Sequence, residues 1–159
     1  MLEDSPEGFA SRWARYAAEV ELFPRTEGSP LLECKAGSAM LQLFERTGPY
    51  LSRPGAKRVI IHPLADAVER VPSDTVPALA ANGISSLQAQ GTVLAVEGEF
   101  VVVDAGVPLV VGLRGELPDG LAVGESVRFD SPAPVHGFVI SALASLQVEA
   151  RRERHEDQI

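Results

Sequence analysis

The chain has 159 residues, 45% of them hydrophobic, and 22 acidic against 14 basic side chains give a net charge of −8. That length sets a prior of one domain or two very small ones, with enough apolar content for a real core. The single cysteine, Cys34, excludes an internal disulfide and a cysteine-rich zinc site, and the longest uncharged apolar stretch, 105–113, falls far short of the roughly 20 residues that span a bilayer. No metal, no cofactor and no membrane association are therefore expected. The opening MLEDSPEG is acidic where a secretory signal is basic and then apolar, so the expected location is cytoplasmic.

In chain order, the first element is a helix with a defined start. Ser5 can cap the first turn, Pro6 suits the first helical position, and Glu7 favours the positive helix end. Phe9, Trp13, Tyr16 and Val20 recur at helical spacing, so an apolar stripe over residues 1–22 is expected to pack on a sheet. The texture then changes. EVELF, LLECK and AMLQLFE are short apolar-rich segments separated by PRTEGSP and AGS, which are turn compositions, and RVIIHP follows a loop rich in proline and glycine. Residues 23–62 thus read as a small β meander or a degenerate first barrel, although AMLQLFE also fits a short helix capped by Ser38.

Residues 63–88 read as a helical connector, with Leu64, Ala67, Val68 and Val71 on one side and Gly83 as a stop. From Gly91 the pattern is β throughout. GTVLAV and EFVVVD join at Glu97-Gly98, AG leads into VPLVVGL, and ESVRFDS and VHGFVIS bring the count to five strands over 89–141. The continuous runs 100–103 and 109–111 imply strands buried on both faces. This meander resembles an OB-type barrel; an SH3-like barrel fits nearly as well, and likeness to a superfold carries no functional residues with it. The fold class expected is mainly β with flanking helices (α+β). Residues 142–159 are expected to form a C-terminal helix and a charged tail.

Sliding the first half by 69 residues superposes Ala36-Gly37 on Ala105-Gly106, Pro49 on Pro118, Gly55 on Gly124 and Pro63 on Pro132, a pattern consistent with an internal tandem repeat. The halves differ in charge. Arg25, Lys35, Arg46, Arg53, Lys57 and Arg58 outnumber Glu27, Glu33 and Glu45 between 23 and 62, whereas carboxylates dominate from 91 to 140.

The common signatures of phosphate loops, dinucleotide folds, zinc hydrolases and serine hydrolases are absent, so no enzyme is expected. His62, His136 and Asp104 would have to converge to act as acid, base or ligands; each also suits a strand end or a turn. Cys34 alternates toward a core in LLECK. The set with functional weight is basic and aromatic. Arg25, Arg46, Tyr50, Arg53, Lys57 and Arg58, with Phe23 and Phe44, combine stacking groups and cations, which suits an unpaired nucleic-acid strand. The expectation is a non-catalytic binding module contacting single-stranded nucleic acid through this half. The alternative is a protein-interaction or assembly module that docks a protein partner or a second copy of itself.

Overall fold

The computed structural model describes residues 5–47 and 53–140; Tyr50 and the expected C-terminal helix lie outside the described residues. Helix α1, Pro6–Trp13, begins where the sequence places it, with the Ser5 side chain accepting the Gly8 N–H at 3.0 Å and Pro6 in the first turn. It is shorter than the apolar stripe implied. After a single 3-10 turn, Ala14–Tyr16, the chain extends, so Val20 belongs to a strand and only Phe9 and Trp13 bury themselves from the helix.

Four strands follow: β1 (Ala18–Leu22), β2 (Leu31–Ala36), β3 (Ala39–Glu45) and β4 (Gly55–His62). The segment AMLQLFE is therefore a strand. Its pairing with β2 runs from Ala36↔Ala39 to Leu31↔Phe44 across a two-residue turn, and Gly37 takes the positive φ of +60° that the first position of such a turn requires. Beyond β4 come β5 (Leu64–Ala65), β6 (Glu69–Val71), β7 (Ala78–Gly83), β8 (Ser86–Glu97), β9 (Phe100–Asp104), β10 (Pro108–Leu113), β11 (Ser126–Ser131) and β12 (His136–Val139). The helical connector expected over 63–88 is not formed. Its apolar positions are instead drawn into pairing, β5 parallel to the end of β10 and β6 antiparallel to β11, because tertiary partners outweigh a helical period only two turns long.

The strands make a closed ring and an open sheet. The ring runs β1-β2-β3-β12-β4 and returns to β1; the sheet runs β5-β10-β9-β8-β11-β6, with β7 attached to β8. All the strands expected in 89–141 exist, but they do not close on one another. β12 leaves the sheet and inserts between β3 and β4, parallel to β3 and antiparallel to β4. Its seat is tight: a Cβ on Gly137 would lie 2.9 Å from Leu43 Cβ, so a glycine is needed where β12 crosses β3. The ring is thus completed by a strand that follows the whole second sheet in sequence.

One apolar cluster joins the ring interior (Val20, Cys34, Leu41, Val59, Ile61) to the inner face of the sheet (Val101, Val103, Leu109, Val127). A second cluster binds α1 (Phe9, Trp13) to the outward side of the ring (Ile60, Phe138) and to the other face of β9 and β10 (Phe100, Val102, Val110). Strands β9 and β10 are accordingly buried on both faces, as their unbroken apolar runs require. No helix among the described residues is long and apolar enough to cross a membrane.

Candidate binding face

Alternation along β2 and β3 decides which side chains leave the ring. Leu32, Cys34, Leu41 and Leu43 point in and are buried, so Leu31, Glu33 and Lys35 on β2 and Met40, Gln42 and Phe44 on β3 point out. The register sets Leu31 beside Phe44, Glu33 beside Gln42, and Lys35 beside Met40. Two of these are large apolar groups in solvent: Met40 is 55% exposed and Phe44 36%.

β12 extends the face at one end. His136 is the β12 partner of Phe44, and the two rings lie 5.9 Å apart. The Arg46 guanidinium lies 3.5 Å from His136 Nδ1 and 5.9 Å from the centre of the Phe138 ring. A guanidinium only donates, so His136 faces it with an acceptor nitrogen.

The five cations singled out in the sequence, Arg25, Arg46, Arg53, Lys57 and Arg58, are dispersed. Arg25, from the β1–β2 connection, makes an ion pair with Glu45 at the end of the ring; the Glu45 side chain is only 7% exposed, and its Oε1 has no hydrogen-bond partner among the described residues. Arg46 joins the Phe44 and His136 corner. Arg53 is exposed just ahead of β4. Lys57 and Arg58 point to opposite sides of β4, with Lys57 opposite Val20 and Arg58 opposite Glu19, and the Arg58 guanidinium donates to the Ala14 carbonyl at 3.2 Å. On the outward side of β1, β2 and β4, Glu19, Glu21 and Glu33 stand against Lys35 and Arg58. Glu21 lies directly across from Lys35, as Glu19 does from Arg58. Opposite charges so placed neutralise one another locally.

His62 and His136 do meet. They are cross-strand partners with ring centres 6.1 Å apart. His62 is fully buried, its ring tilted against those of Phe9 at 4.6 Å and Phe100 at 5.9 Å, and its Nδ1–H donates to the Val110 carbonyl at 2.6 Å, which bolts β4 to β10. Asp104 does not join them. It lies four residues along β9 from Phe100, about 13 Å of strand, and its Oδ1 accepts the Gly106 N–H at 3.0 Å, which is the turn role. Cys34 is fully buried, and that burial pushes its thiol up to about 12. Such a thiol is inert at neutral pH. Among the described residues no three histidine, cysteine or carboxylate side chains are grouped to hold a metal ion.

Leu31, Met40 and Gln42 carry no obvious chemistry, yet alternation alone places them on the face once β2 and β3 are recognised as strands. The meeting of Arg46 with His136 spans 90 residues, and no local pattern announces it. No family model, no curated protein and no solved structure matches the chain.

Proposed function

We propose that this protein is a non-catalytic binding module whose ring is an OB-type barrel, and that it receives a protein partner on the outer face of β2 and β3 beside β12. A five-stranded ring closed by a last strand parallel to the third and antiparallel to the fourth supports the OB-type reading, and the face of strands two and three is where such barrels take oligonucleotides and oligosaccharides. The observation that carries the reading is the exposure of Met40 and Phe44 on one face of β3, Phe44 beside Leu31 and Met40 beside Lys35, on strands whose other side is already packed. Methionine, aromatic and arginine side chains with few net charges are the composition of a protein interface core.

Electrostatics favour this class of partner. A phosphate chain laid across β4, β1 and β2 would meet Glu19, Glu21 and Glu33, and of the cations there Arg58 already faces Glu19 and Lys35 already faces Glu21. A second reading, single-stranded nucleic acid, draws on one corner only, where Phe44 and His136 offer ring faces beside the Arg46 guanidinium.

One paired experiment separates the two. A photo-crosslinking amino acid at Gln42 is expected to capture the same protein repeatedly in the source cells, and Phe44→Asp is expected to abolish that product while the protein stays folded. Labelled single-stranded oligonucleotides are expected to show no binding by anisotropy at low salt. Crosslinking from Gln42 no different from that of a probe at Ser29 overturns the reading. Oligonucleotide binding that weakens steeply with salt and is lost in Arg46→Glu replaces it with the second.

A further inference from the structure

The outer face of β2 and β3 constrains the shape of a chain segment laid on it. β2 is paired with β1 on one side and β3 on the other; β3 is paired with β2 and, at Phe44 and Glu45, with β12, while β7 lies along it. Strand addition needs a bare edge, so a segment on this face meets side chains alone. Pressed onto Leu31, Met40 and Phe44, it loses water from its own N–H and C=O groups and has to satisfy them internally. A helix does so; a single extended segment does not.

Met40 and Phe44 lie four residues apart on one strand, about 13 Å, with Gln42 between them on the same side. Eight residues of helix rise about 12 Å, so side chains at i and i+8 of a helix laid along β3 reach both apolar groups, with i+4 over Gln42. Leu31 and Lys35 flank Phe44 and Met40 one strand away, about 4.8 Å, within the width of about 10 Å of a single helix. The two ends of this strip differ in charge. Arg46 stands beyond Phe44, beside His136, whereas Lys35 at the Met40 end faces Glu21 of β1. The carbonyls of a helix's last turn carry partial negative charge, so the Phe44 end suits a helix C-terminus.

Resting on the reading of this face as a partner site, we infer that the partner contributes an amphipathic helix laid along β3, its apolar side chains at i and i+8 on Met40 and Phe44 and its C-terminal end at Arg46. The occupant follows from complementarity of shape and charge: a strip one helix wide, covered edges that refuse a strand, and a cation at the end where a helix is negative.

Photo-crosslinking amino acids placed singly at Leu31 and Lys35 of the full chain test this in the source cells, with the attachment residues in the captured protein mapped by tandem mass spectrometry. Both probes are expected to mark one partner segment, the Leu31 attachment about eight residues C-terminal to the Lys35 attachment, because the two positions are four residues apart on β2, about 13 Å. An extended segment would place them only about four residues apart. Arg46→Glu is expected to lower the crosslink yield about fivefold, and Arg46→Lys to keep it, while both variants unfold at the parent temperature. Attachments about four residues apart, in the reverse order, or in segments remote from one another overturn the helix, as does a yield indifferent to Arg46→Glu; each of these leaves the partner site standing. Crosslinking no different from that of a probe at Ser29 removes the partner site and the helix with it.

Discussion

Gly91→Ala tests how β8 is seated against the β9–β10 turn. Gly91 precedes Thr92, which pairs with Asp104, and a Cβ built on it would lie 1.9 Å from the Asp104 carbonyl oxygen, 2.6 Å from its carbonyl carbon and 3.0 Å from Ala105 Cα. All three are backbone atoms in a hydrogen-bonded hairpin, so no rotamer change relieves the overlap. The two strands have to separate by about 1 Å, in a region where Val93, Val103 and Ala105 are all 4% exposed or less. Overpacking of that kind costs about 3 kcal/mol, a large share of the roughly 5–15 kcal/mol that holds a domain together. With a urea slope of about 1.5 kcal/mol per molar, the midpoint of unfolding should fall by about 2 M. Gly98→Ala is the control: its φ is +59° with nothing within 4 Å of the added carbon, so it costs only the left-handed penalty of about 1–2 kcal/mol. A Gly91→Ala midpoint equal to or above that of Gly98→Ala would show that β8 is not held against Asp104 as described.

Two further outcomes follow from titrating groups. Because burial holds the Cys34 thiol up to about 12 against an ordinary value of 9.0, the native chain keeps its proton between these limits while the unfolded chain loses it. The thiol's contribution to stability is therefore complete below pH 9 and is lost as pH rises toward 12. A thiol reagent at pH 8 should modify Cys34 only at the rate of unfolding, and rapid labelling of folded protein would contradict its burial. Glu125, held by the Arg70 side chain and then by the Ala122 N–H, titrates below its usual range. Its contribution is present above the unfolded value and lost as pH falls through the folded one; a carboxyl-carbon NMR titration should show Glu125 moving up in Arg70→Ala, and no movement would refute the pairing.

The histidines and basic residues show where sequence reading stops. Lys57 and Arg58 are neighbours in a basic run, and only the β4 pleat sends them to opposite sides, Arg58 to the helix and Lys57 across from Val20. Arg25 reads as one of the basic set, yet its partner Glu45 is 20 residues away and nearly buried. The candidate face itself was half legible: Phe44 and Arg46 stand out by type, whereas His136 reaches them only through a strand inserted from the far side of the second sheet.

The sequence by itself determined the local events. Ser5 and Pro6 start the helix, the alternation in LLECK turns Cys34 inward, and the unbroken runs in β9 and β10 announce burial on both faces, because capping and side-chain period act over a few residues. Only the tertiary structure decided that β12 completes the ring, that 63–88 forms strands, and that Arg25 is directed to Glu45 and Arg58 to the Ala14 carbonyl. Each of these depends on which distant edge is available for pairing. A strand's own residues state that it will pair and which face it will bury, but the choice of partner is settled by packing and chain closure over the whole fold.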